Sequence, residues 1–268
     1  MSFLQYEFMH RALIAGIFVG LAAPAIGVYI VQRRLSLLGD GIGHVAFTGV
    51  AAGLVLGVSP IATALLFALG GAAVIEVLRE RGRAASDVAL AVIFYGGIAG
   101  AVLLLSLGDI STVNLNSYLF GSVVTVSGSD VWMVAGVAVL VIAFTFALRK
   151  QLFAVAYDEE VARVSGLPVR TLNLAIALTS GIAIAISARV VGVLLVSSLL
   201  VLPVAAVQQV TRSFRSTVVS GLILGATLSV LGLIVAYYVD VAPAATIVLS
   251  SILAFGFASL FRDRRSVG

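Results

Sequence analysis

Cysteine is absent from the 268 residues, which removes any disulfide framework or thiolate metal site and leaves the redox compartment unreadable. Charge is nearly as scarce. Asp, Glu, Lys and Arg make up 10% of the chain, against about 25% in an ordinary soluble domain, so a water-soluble globule is excluded. No HExxH, GxSxG or P-loop pattern occurs, so the chain carries neither a familiar hydrolase signature nor its own ATP site. Aromatic residues are few, at 8%, and the apolar runs do not alternate with a period of two, which argues against an outer-membrane barrel. A net charge of +4 is too small to point to nucleic acid.

What remains is apolar. Hydrophobic residues account for 61% of the chain before its 27 glycines are counted. At about 20 apolar residues per crossing, residues 1–268 are expected to form one all-α, polytopic membrane bundle with no separate soluble domain. Hydropathy and helix breakers place spans near 12–32, 37–57, 60–78, 88–107, 130–148, 171–188, 190–210, 216–238 and 244–261. Losing one weak segment, most readily in the hairpin around Arg189, would leave eight. The opening MSFLQYEFMHRA lacks the basic start of a signal peptide, so it reads as the approach to the first span. Cytoplasmic loops carry an excess of Lys and Arg. With an external N-terminus and a cytoplasmic C-terminus, only Arg11 and Arg189 of the 16 basic residues fall outside.

Small residues recur four apart at Gly16 and Gly20, at Gly49, Gly53 and Gly57, at Gly96 and Gly100, and at Gly221 and Gly225. Such rows let helix backbones approach closely where lipid supplies no hydrophobic drive between helices.

Most acidic residues sit at span ends or in loops, but Asp40 and His44 lie inside LSLLGDGIGHVAFTG. They fall about 5 and 9 residues into a span beginning near Leu35, roughly 8–14 Å along it. An ionisable group at the bilayer centre costs at least about 2.5–3.5 kcal/mol. The i, i+4 spacing stacks a carboxylate and an imidazole on one helical face, a donor pair suited to zinc, manganese or iron. Two ligands are too few for a stable site, and a two-fold dimer with this face at its axis would supply four. The alternative is that Asp40 caps a helix starting at Gly41 and that His44 is a packing residue.

The longest hydrophilic stretch, 149–170, contains EVARVSG with an apolar edge of Leu152, Phe153, Val155, Val161 and Val164. It predicts a short amphipathic helix ended by Gly166 and Pro168, either a solvated loop element or a docking helix for a soluble partner. On the outer side, Tyr118 and Phe120 of LNSYLFGS fit an interfacial anchor or a re-entrant helix closing the outer mouth.

Taken in order, RRLSLLGDGIGHVAFTGVAAG, SYLFGS, DEEVARVSG, VVGVLLVSSLLVLPVAAVQQ and VDVAPAATIVL resemble the membrane permease of bacterial zinc and manganese ATP-binding-cassette importers, most closely the zinc-uptake permease. The similarity runs from residue 12 to about 255. It implies a multi-pass permease of the bacterial plasma membrane with cobalamin-importer-like (type II) packing and no catalytic site of its own. It also implies a homodimer that works with cytoplasmic ATP-binding subunits and an external metal-binding protein. Asp40 and His44 match the family's proposed ligands for transported Zn²⁺ or Mn²⁺. Asp158, Glu159, Glu160, Ala162 and Gly166 match the segment that couples to the ATPase. One departure is VDVAPAAT, where alanines at 244 and 245 follow Pro243 and the family's turn usually carries a glycine, which leaves Asp240 without an assigned role. Two other classes fit the Asp40–His44 pair: a gradient-driven secondary carrier using Asp40 as a proton-coupled ligand, and an intramembrane metalloenzyme with an open coordination position.

Overall fold

The computed structural model describes residues 6–80, 86–108, 117–122, 124, 126–193 and 196–262. Its elements, in order, are α1 (Glu7–Gln32), α2 (Leu38–Leu56), α3 (Pro60–Glu80), α4 (Ser86–Leu107), α5 (Gly128–Ala147), α6 (Arg149–Tyr157), α7 (Glu159–Val164), α8 (Val169–Val191), α9 (Val196–Gln208), α10 (Phe214–Val239) and α11 (Pro243–Arg262). A helical turn at 117–120 precedes α5, and no strand occurs among the described residues.

Local chemistry sets these boundaries. Gly57 closes α2 in the left-handed conformation at φ 66°, and Pro60 opens α3 where its missing N–H is harmless. Capping boxes start α5 (Ser127 with Asp130) and α10 (Ser213 with Ser216). Asp240 ends α10 as a left-handed cap at φ 55° and is exposed, so it acts as a helix stop at the joint with α11.

Among the described residues, eight helices are long and apolar enough to cross a membrane: α1 to α5, α8, α10 and α11. The expected seventh span at 190–210 is corrected. Its helix, α9, has only 13 residues, about 20 Å at 1.5 Å per residue, which is short of the roughly 30 Å hydrocarbon core. Non-helical chain follows Val191 instead, and it is sealed inside protein. The Val193 N–H donates to Tyr118 O at 2.9 Å, and Gly192 and Gly121 lie backbone to backbone with φ of 88° and 73°. A Cβ on Gly192 would stand 2.6 Å from the Phe120 carbonyl carbon. The 117–120 turn is thus packed against residues 192 and 193, while Phe120 stays exposed. The preceding loop residues 109–116 lie outside the described residues.

Helix α2 is flanked by α3 and α4, while α1 packs on α5, α9 and α10, and α8 joins the two groups. The glycine rows act as read except at Gly57, which caps α2 with nothing within 4 Å, and at Gly96. Gly20 meets the Gly225 carbonyl and Ala226, Gly49 meets Ala64, and Gly53 meets Pro60, but in α4 the close approach is at Gly97, beneath His44 and Val45, while Gly96 faces open space.

Alanine at Gly20 would place its Cβ 2.6 Å from Gly225 O and 2.7 Å from Ala226 Cα. Gly20→Ala is therefore expected to destabilise the bundle by about 1–3 kcal/mol, although alanine favours a helix by about 1 kcal/mol over glycine. Gly136, with nothing within 4 Å, is the control: Gly136→Ala should be neutral or raise the thermal midpoint in detergent.

Candidate metal path and coupling segment

Helix α2 begins three residues later than the apolar run suggested, at Leu38, and its N-cap is Leu37 with no side-chain cap bond. Asp40 is therefore a first-turn residue of the helix and not its cap, and the capping alternative falls. Measured from Leu38, Asp40 and His44 lie about 3 and 9 Å along the axis, nearer the helix start than expected. A carboxylate in the first turn is favoured by the helix macrodipole.

Two neighbours shape the face that carries this pair. On one side α9 starts against α2: the Ser197 hydroxyl donates to Asp40 Oδ1. A Cβ at Gly39 would lie 3.1 Å from Ser197 Cβ, and one at Gly43 would lie 3.1 Å from Val193 O. The glycines that thin the helix admit the broken segment before α9. On the other side is α4, where Phe94 stands edge-on to the His44 ring at 4.3 Å between centroids. Thr48 Oγ1 donates to Gly97 O at 2.6 Å and holds α4 in place.

His44 Nδ1 is buried and has no hydrogen-bond partner. A buried polar atom left unpaired costs about 1–3 kcal/mol, and a histidine ring nitrogen is chemically able to ligate a metal. Among the described residues no group of three His, Cys, Asp or Glu side chains could hold a metal ion. One chain thus offers one carboxylate and one imidazole, half of a four-donor set.

The hydrophilic stretch 149–166 comprises two helices where one was expected. Helix α6 buries Leu152 and Val155, whereas Val161 and Val164 of α7 are exposed, so the apolar edge divides between the bundle and the solvent side. Asp158 caps α7 by accepting from Val161 N at 3.0 Å. Gly166 follows its last turn at φ 81°. Ala162 is buried and seats α7 on the bundle, while Glu160, Val161, Arg163 and Val164 face outward.

Glu159 is the hinge of the charge network. It accepts from Arg33 at 3.0 Å and from Arg163 at 3.1 Å, and Arg79 stands 3.5 Å away. Arg79 also pairs with buried Glu76 at 2.8 Å. Burial draws the Arg33 guanidinium down from its ordinary value, and nearby Arg79 acts the same way, while Glu159 and Glu76 oppose them. Arg33 belongs to the connection that leads into α2, so one ion pair ties α7 to the segment entering the Asp40 turn. Sequence reading missed Glu76, Arg33 and Arg79 as a unit. The available signal was Glu76 and Arg79 three apart at the end of a span.

A family model described as the ABC 3 transport family matches residues 5–262. The chain is 34% identical to a Treponema pallidum protein named "Probable metal transport system membrane protein", over 93% of this chain and 94% of that one. It is 30% identical to the manganese transport system membrane protein MntC of Listeria monocytogenes, over 98% and 94%. Among solved structures it is similar to a chain of PsaBC from Streptococcus pneumoniae in complex with Fab, with a TM-score of 0.85, 29% identity, and coverage of 95% of this chain and 92% of that one.

Removing the Glu159 carboxylate leaves Arg33, whose side chain is 7% exposed, without its partner. Glu159→Ala is expected to cost about 3 kcal/mol, the low end for a broken buried pair, because Glu159 itself is 35% exposed. Arg163→Ala, with a side chain 70% exposed, should cost under about 1 kcal/mol. Thermal unfolding, with amide exchange of residues 159–165, measures both.

Proposed function

Because the chain belongs to the ABC 3 transport family, we propose that it is the permease subunit of an ATP-driven importer of a divalent transition metal, with Asp40 and His44 as ligands on the path. The observation that carries this reading is the buried, unpartnered His44 Nδ1 one helical turn from Asp40. Cargo binding would satisfy it, and the absence of a fuller donor set among the described residues makes the hold brief. A path must bind well enough to accept an ion and weakly enough to release it.

A second copy related by a two-fold axis would bring the set to two oxygens and two nitrogens. A mixed oxygen and nitrogen set accepts both zinc and manganese. The name of the Listeria relative supports manganese ahead of the zinc anticipated from the sequence. The external binding protein is assigned much of the selection, since the ligand types here discriminate weakly.

Residues 158–166 are assigned to the ATPase. The outward side chains Glu160, Val161 and Val164 form the contact, and Ala162 and Glu159 fix the helix to the bundle. A push on α7 would reach the α1–α2 connection through Glu159 and Arg33, moving the Asp40 turn against Ser197 as the dimer alternates between outward and inward access. The chain's role is to bind, orient and release; ATP is hydrolysed by the partner. The orientation adopted is N-terminus outside and C-terminus cytoplasmic. Since the chain has no native cysteine, a Ser165→Cys variant should label only from the ATPase side.

Reconstituted with its ATPase and external binding protein, the Asp40→Ala and His44→Ala variants are expected to lose at least about tenfold in manganese uptake while the complex still assembles. Wild-type uptake by both would sink the ligand assignment. Zinc competition in the same vesicles ranks the cargo. Uptake with the ATPase removed would favour a gradient-driven carrier.

A further inference from the structure

Away from the α2 face, at the end of the bundle that carries Arg33 and Arg79, a cavity of about 540 Å³ opens between α1, α5, α6 and α10. That volume is in the range of sites that bury an organic ligand. Its floor is oily: Ala25, Val218 and Phe146 surround the paired rings of Phe153 and Phe214, whose centroids are 4.6 Å apart. Tyr29 extends this aromatic row, 5.5 Å from Phe214.

The polar groups in the wall are already occupied. Thr145 Oγ1 donates to Val141 O at 3.0 Å and to Ile142 O at 2.9 Å, and Tyr29 Oη reaches Thr145 O at 3.5 Å. A cavity whose polar atoms are satisfied by the protein gives water little to bind.

The rim has the opposite character. Arg149, Lys150 and Arg215 line the cavity with no acidic residue among the lining. All three are exposed, and no ion pair is found for any of them among the described residues. They also occupy first turns, Arg149 and Lys150 of α6 and Arg215 of α10, where the macrodipole disfavours cations and draws anions. Three cations set against that preference at one mouth, above an oily floor, define a ligand with an anionic head and an apolar tail.

We propose that this groove is a binding site for an anionic phospholipid of the cytoplasmic leaflet, with the phosphate held by Arg149, Lys150 and Arg215 and an acyl chain lying over Phe153 and Phe214. Basic pockets between transmembrane helices on the cytoplasmic side are suited to such headgroups. Free phosphate would leave the aromatic floor unused. A second copy docking here about a two-fold axis would set the cations of both copies against one another.

The site is tested on the intact permease–ATPase complex in nanodiscs of phosphatidylcholine doped with phosphatidylglycerol, counting retained phosphatidylglycerol by native mass spectrometry. Each basic residue near a membrane surface contributes about fivefold. The triple variant Arg149→Gln, Lys150→Gln, Arg215→Gln should therefore weaken phosphatidylglycerol retention roughly a hundredfold, with Arg212→Gln unchanged as the control at the same end. Val218→Trp fills the groove while leaving the cations in place. It should abolish retention as well, and it decides the matter if the triple variant fails to assemble. Millimolar inorganic phosphate should not displace the lipid. Wild-type retention in a folded triple variant or in Val218→Trp, equal retention of phosphatidylcholine, or displacement by phosphate alone would each overturn the proposal.

Discussion

Hydrocarbon offers a main chain no hydrogen-bond partner, so a break in a membrane helix survives only where protein surrounds it. The non-helical residues 192 and 193 after α8 obey this constraint, and much of the arrangement around α2 follows from it. Gly192 and Gly121 let two backbones touch, and the Val193 N–H finds the carbonyl of Tyr118. The broken segment then needs room beside α2, which Gly39 and Gly43 supply. That contact brings Ser197 to Asp40. Packing and carboxylate placement are therefore one arrangement: the glycines around Asp40 admit a neighbouring backbone, and the neighbour fixes the carboxylate.

Charge is distributed under a second constraint. With so few ionisable residues, most sit where water or a partner charge can reach them. Glu159 gathers Arg33, Arg79 and Arg163 around a short helix whose own apolar residues Val161 and Val164 face outward. An element built this way is firmly attached on one side and open on the other. Both properties suit the coupling role proposed for it. The cations at Arg149, Lys150 and Arg215 have no such acid, and their neighbours are aromatic rings, which is why they suit an external anion.

Much of this organisation was legible from residue order. Long apolar runs without alternation specify helices, and Asp40 and His44 stand out because an acid and an imidazole have no inexpensive place in such a run. The Asp158 cap and the left-handed Gly166 also follow from local backbone chemistry, which needs no distant partner. Other readings failed for reasons that local pattern does not carry. The 190–210 run is apolar enough to span, yet whether it stays helical depends on the neighbours that pair its main chain. In α4, Gly96 and Gly97 are adjacent in sequence, and only the rotation of the helix against α2 selects Gly97 as the contact. Glu76 went unread because its place in a charge cluster depends on Arg79 being joined, through Glu159, to Arg33 of another helix connection.

Sequence alone determined that the chain is a helical membrane bundle, that Asp40 and His44 share a helical face, and that a short helix within 149–170 ends at Gly166. These are properties of composition, period and cap chemistry, which act over a few residues. Tertiary structure decided that α9 is short, that Ser197 rather than solvent binds Asp40, that the nitrogen of His44 is buried without a partner, and that α7 is tied to the α2 entrance through Glu159 and Arg33. Each of these depends on atoms distant in the chain meeting at contact distance. Hydrogen bonds, ion pairs and steric exclusion act only at that range, so their partners cannot be read until the helices have packed.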